Sequence, residues 1–157
     1  MGQLTAFSAE AAQLAERAGP SVVRIGRDGR GAGVVIESQR VATNAHNLRG
    51  DEVTVTFADG RVAIGRVAGA DPDADLAVVD VDTGEAAELE FAADEVGPGT
   101  LVFAVTTTHG GGSRLTWGLV SANGQAFRGP RGRKITDAIE HTAPLARGSS
   151  GGPLLDA

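Results

Sequence analysis

The sequence has no cysteine and no tyrosine, and only one tryptophan and five phenylalanines among its 157 residues. Without cysteine, disulfides, thiol catalysis and cysteine-ligated zinc are excluded, although the compartment stays open. With so few aromatics, any core must be built from Val, Ala, Leu and Ile; 41% hydrophobic residues are enough for one. Positive charge is also short. Fourteen Lys and Arg face twenty Asp and Glu, a net charge of −6. General nucleic-acid binding needs a positive field to meet phosphates, so this balance argues against it. It argues more weakly against docking on anionic membranes. No stretch approaches the roughly eighteen apolar residues of a transmembrane helix. The first residues show no charged-then-apolar leader pattern, which by itself says little about compartment.

Glycine, valine and threonine are plentiful instead. Twenty-three glycines favour many tight turns, and β-branched residues favour strands. The expected fold class is all-β, in one domain or two small halves sharing one fold. One helix pattern stands out, Ser8–Ala18, with Ser8 as its cap and Gly19-Pro20 as its stop. Phe7, Ala11, Leu14, Ala15 and Ala18 form one stripe, so this helix should pack on the body.

Six strands are expected next, at Val22–Gly26, Gly33–Glu37, Arg40–Thr43, Glu52–Phe57, Val62–Asp71 and Leu76–Asp82. Thr83–Pro98 is acidic and irregular and reads as a solvated connector. Four more strands follow, at Leu101–Thr106, Arg114–Ala122, Lys134–Thr142 and Pro153–Leu155. Between the middle two, Gly124–Arg133 reads as an exposed hairpin tip; its arginines could meet an acidic partner.

Chemistry has few candidates. The Gly148–Gly152 run, GSSGG, has the composition of a flexible linker, yet it leads straight into an apolar strand. A serine nucleophile needs a base, and the base needs an orienting group. The three histidines are His46, His109 and His141. A lone histidine is more often structural or exposed than catalytic. His46 ranks first because it ends an apolar strand. His109 lies among glycines, and His141 is a neighbour of the serine in sequence. Asp71, Asp73 and Asp75 alternate like the start of a calcium loop, but the required Gly and closing Glu are absent. Asp75 directly precedes an apolar strand, where a buried carboxylate must be paired, for instance with a histidine N–H.

Three blocks, Thr43–His46 (TNAH), Asp73–Val79 (DADLAVV) and Gly148–Leu155 (GSSGGPLL), come in the order His, Asp, Ser. In this the sequence resembles trypsin-like serine proteases of the chymotrypsin fold, and within them the bacterial HtrA/Deg-type group. Gly19–Val23, Gly31–Ile36 and Trp117–Ser121 extend the resemblance over most of residues 8–157.

The resemblance implies two six-stranded antiparallel β-barrels. Residues 1–20 would hold the helix and 21–84 the first barrel, with a connector at 85–98 and the second barrel at 99–157. That second barrel ends incomplete, since the family has about two more strands after the serine. It implies His46 as general base, Asp75 as its orienting group and Ser150 as nucleophile. Gly148, Ser149 and Ser150 would frame an oxyanion hole. Pro144 and Leu145 would fall at the pocket floor, favouring small or aliphatic side chains. No cofactor and no metal are implied. The implied partners are protein or peptide substrates, with a membrane tether or extra domain outside this chain in some members. The implied location is extracytoplasmic: periplasm, cell envelope or medium.

Two residues depart from the family pattern. Ser149 stands where Asn or Asp is usual, and Asn47 where an aliphatic residue is usual. The alternative reading is a protease-fold binding or scaffolding module without turnover. An unrelated barrel would need three ordered blocks by coincidence.

Overall fold

A computed structural model describes residues 2–129, 132 and 134–156. It is an all-β molecule with one N-terminal helix. The helix α1 spans Gln3–Ala18, starting five residues earlier than the sequence suggests. Ser8 is not its cap: Ser8 Oγ lies inside the helix and donates back to Leu4 O at 2.9 Å. The stripe behaves as expected. Phe7, Ala11, Leu14 and Ala15 are half-buried and Ala18 is buried. Phe7 stacks on Phe103 at 6.1 Å and meets Trp117 edge-on at 5.4 Å, so the helix packs on the second sheet.

Six strands follow: β1 Val22–Ile25, β2 Gly31–Glu37, β3 Arg40–Thr43, β4 Glu52–Thr56, β5 Val62–Asp71 and β6 Leu76–Asp80. They close into an antiparallel barrel in the order β1-β2-β3-β6-β5-β4. Their inward residues alternate with outward ones, as Val53 and Val55 do in β4. The barrel interior is Val23, Ile25, Val35, Val41, Val53, Val55, Phe57, Val79 and Val81. This is the valine-rich core that scarce aromatics demand. Thr83–Pro98 carries no strand or helix, and Glu85, Glu88, Glu90, Asp94 and Glu95 are exposed. Leu89 N donates to Val35 O at 2.9 Å, pinning the connector to the barrel.

Four more strands are β7 Leu101–Thr107, β8 Ser113–Arg128, β9 Lys134–His141 and β10 Leu154–Asp156. They form a sheet in the order β10-β7-β8-β9. β8 runs six residues past the expected end at Ala122, so the first half of the predicted loop, Gly124–Arg128, is strand. Its pairing to β9 slips three times, at Val120/Ala122, Ala122/Gln125 and Gln125/Phe127. Such irregular pairing lets polar, glycine-containing sequence stay in a strand. Of the loop arginines, Arg128 ends β8, while Arg131 and Arg133 lie outside the described residues. No described helix is long and apolar enough to cross a membrane.

Candidate active site

The site forms where the barrel meets the second sheet. β3 runs into the turn Ala45–Asn47, which sets His46 at the strand end. The β5–β6 connection delivers Asp75. Asp71 Oδ1 accepts from the N–H of Asp73 and of Ala74, at 2.9 and 3.1 Å, and so fixes the turn. Thus Asp71 closes the backbone of the acidic cluster. Asp75 then adopts φ 57°, a left-handed conformation that Asp tolerates better than most residues. Its backbone carbonyl accepts from Ala45 N at 3.2 Å and Asn44 Nδ2 at 2.8 Å, binding the Asp turn to the His turn.

The Asp75 side chain is 13% exposed, that of His46 45%. Asp75 Oδ1 accepts the His46 backbone N–H at 3.0 Å, and Oδ2 lies 2.6 Å from His46 Nδ1. A carboxylate only accepts, so Nδ1 carries the hydrogen and Nε2 offers a lone pair. Ser150 Oγ lies 2.8 Å from that Nε2. The structure therefore brings together the three residues singled out in the sequence. It adds a fourth. Ser150 Oγ is also 3.0 Å from Asn44 Oδ1, which faces the serine because Asn44 Nδ2 is engaged on Asp75 O. One hydroxyl hydrogen has two acceptors, His46 and Asn44.

The serine loop is docked on the first barrel. Ser150 O accepts from Ala32 N at 2.8 Å and from Asn47 Nδ2 at 2.8 Å. Asn47 Nδ2 also reaches Thr43 Oγ1 at 3.0 Å, and Thr43 Oγ1 donates to Ala32 O at 2.6 Å. This accounts for Asn47: an aliphatic side chain there could not make the tie. Gly151 sits at φ +91°, and a Cβ there would overlap Ala32 O, so only glycine lets the loop nest this closely.

Gly148 is at φ +84°. Ser149 N donates to Ala146 O at 3.1 Å and Ser149 O accepts from Gly152 N at 2.9 Å. The Ser149 N–H is thus spent on the turn. Among the described residues, no hydrogen bond uses the N–H of Gly148 or of Ser150. Pro144 and Leu145 line a cleft of about 220 Å³ that also touches Ser149, Ser150 and His141. His141 is therefore a neighbour of the serine. Its Nδ1 is buried without a partner among the described residues. His109 lines a different cleft, beside Arg24.

Sequence reasoning missed Asn44 and Asn47 as parts of this network. The only signals were the Asn within TNAH and the polar residue after the histidine.

Residues 31–157 match a family model described as a trypsin-like peptidase domain. Over 123 residues the chain is 35% identical to Protease Do-like 5, chloroplastic, of Arabidopsis thaliana, covering 74% of the chain and 38% of that relative. It is 33% identical over 133 residues to a probable periplasmic serine protease do/HhoA-like of Haemophilus influenzae, covering 82% of the chain and 28% of that relative. The chain thus spans well under half the length of these relatives. The crystal structure of Deg5 superimposes with a TM-score of 0.79 at 29% identity, covering 99% of this chain and 82% of that one.

Proposed function

The chain belongs to the trypsin-like peptidase family, and from that premise we propose that it is a serine endopeptidase working through an acyl-enzyme. In this reading Ser150 Oγ attacks the scissile carbonyl carbon while His46 Nε2 takes the hydroxyl proton. The hydroxyl hydrogen must first point at His46 rather than Asn44. The oxyanion forms in the space served by the N–H groups of Gly148 and Ser150. Collapse breaks the C–N bond, and the amine leaves with the proton from His46. Water then repeats the sequence, releasing the acid and restoring Ser150. Asp75 keeps the ring in its Nδ1–H form and balances the imidazolium charge.

The observation that carries this reading is the unbroken line from Asp75 Oδ2 to His46 Nδ1, 2.6 Å, and from His46 Nε2 to Ser150 Oγ, 2.8 Å. Substrates are proteins or peptides. The uncharged Pro144 and Leu145 beside Ser150 support small or aliphatic residues on the acyl side. The periplasmic name of the Haemophilus relative supports an extracytoplasmic location.

The test is hydrolysis of an internally quenched peptide with Ala or Val at the acyl position. Ser150→Ala should lower kcat by about 10⁶-fold, with the melting temperature little changed. A folded wild-type chain that hydrolyses nothing would favour the binding-module reading instead.

A further inference from the structure

A second cleft, of about 410 Å³, lies between β1, β4 and the β7–β8 turn. Arg24, Arg27 and His109 line it, with the hydroxyl residues Thr54, Thr56 and Thr108, and no carboxylate does. Arg24 Nη1 lies 3.4 Å from His109 Nδ1. Neither Arg24 nor Arg27 makes an ion pair among the described residues, as is true of most arginines of this chain, but these two share one concave surface. In a chain of net charge −6, two uncompensated arginines in one concave surface need a reason.

Its place beside the active site supplies one. A Cβ on Gly148 would stand 3.0 Å from Gly29 O, so the β1–β2 loop abuts the proposed oxyanion hole. A Cβ on Gly29 would stand 3.4 Å from His109 Cε1 and 3.6 Å from Arg24 Cδ, so the cluster adjoins the same glycine. The cleft holding Pro144 and Leu145 shares no residue with this one. In the protease reading, a peptide whose acyl side fills the first cleft would leave the site on the Gly29 side, where Arg24 and His109 lie. An extended chain advances about 3.3–3.6 Å per residue, so the second and third residues after the bond are the ones to vary.

We propose that the Arg24–Arg27–His109 cleft is a subsite for acidic side chains on the leaving-group side of the substrate. Guanidinium forks bind carboxylates with charge-assisted, often bidentate hydrogen bonds, and the threonine hydroxyls accommodate the remaining lone pairs. The proposal rests on the protease reading for its placement, but not for its chemistry.

Two peptides test it, alike except for Glu-Glu or Gln-Gln at the second and third positions after the cleavage site. Binding to Ser150→Ala, read by fluorescence polarisation, needs no turnover. The Glu-Glu peptide should bind about five- to tenfold more tightly, as expected of charge-assisted contacts in a half-exposed site. The ratio should fall toward one in Arg24→Gln/Arg27→Gln and at about 0.5 M salt, where surface charges are screened. Arg27→Gln alone, at an exposed position, should lower it in part, and Arg27→Lys should restore much of it. Equal or undetectable binding of both peptides overturns the proposal, as does a preference that survives the double substitution. Labelling of wild-type Ser150 by a phosphonate reports on the protease reading separately. Labelling without an acid preference sinks the subsite alone, and an acid preference without labelling sinks the protease reading and with it the leaving-group placement, leaving an acid-binding cleft.

Discussion

Strands β1–β6 close on themselves, whereas β7–β10 form a sheet with two ends, β10 and β9. The barrel encloses nine apolar residues, with Ile25, Val35, Val41, Val55 and Val79 fully buried. The second sheet buries Val102, Phe103, Val105 and Val120, while exposed large apolar residues occur in both halves, Val62, Ile64 and Leu76 in the barrel and Trp117, Leu119, Phe127 and Ile139 in the sheet. His46 and Asp75 come from the closed half, and Ser150 from the other. The serine loop is nonetheless registered from the barrel side, through Ala32, Thr43 and Asn47. The closed half supplies both the His46–Asp75 pair and the hydrogen bonds that hold the Ser150 loop. Precise sites sit on supported elements, and here support crosses between the halves.

Five substitutions, in four tests, bear on this contrast. The largest effect should come from Asp75→Asn, which keeps the shape and removes the orienting charge. A loss of about 10⁴ in kcat is expected from peptide-hydrolysis kinetics, with the fold intact by circular dichroism. Next, Ile25→Ala opens the closed core and should cost about 2–5 kcal/mol in urea unfolding. Leu119→Ala, at a residue 44% exposed in the second sheet, should cost under about 1 kcal/mol in the same assay. Equal costs would erase the contrast. Third, Gly151→Ala forces a Cβ against Ala32 O and should lower kcat by about 10², because small misplacements of reacting groups are costly. The mildest is Asn47→Val, which cuts the amide tie to Ser150 O. A fall of about tenfold or less in kcat is expected, with KM nearly unchanged, since one such bond contributes about 0.5–1.5 kcal/mol.

Much of this molecule is legible in its sequence, because its signals are local. Arg40–Thr43 and Val62–Asp71 alternate and are bounded by turns, so both strands are placed to the residue. The three blocks carrying His46, Asp75 and Ser150 are each contiguous, and their order alone suggests their meeting. The misses have physical causes. Leu4 is 83% exposed, so no buried stripe marks the first helical turn, and Ser8 looks like a cap although it bonds back within the helix. The end of β8 carries Gln125 and Gly124 on a slipped ladder, which reads as loop. The Asn47 tie joins residues 103 apart in sequence, and no local pattern encodes such a contact. Likewise, Arg24 on β1 and His109 in the β7–β8 turn meet although 85 residues apart in sequence.

The central claim is that the two halves together make Ser150 a nucleophile. The most direct measurement is intact-mass analysis after treatment with a serine-directed phosphonate, on the wild-type chain and on Ser150→Ala and His46→Ala. One adduct is expected on the wild type, mapped to Ser150, and none on either variant. A folded wild-type chain that takes no adduct, or an adduct that persists in Ser150→Ala, would contradict it.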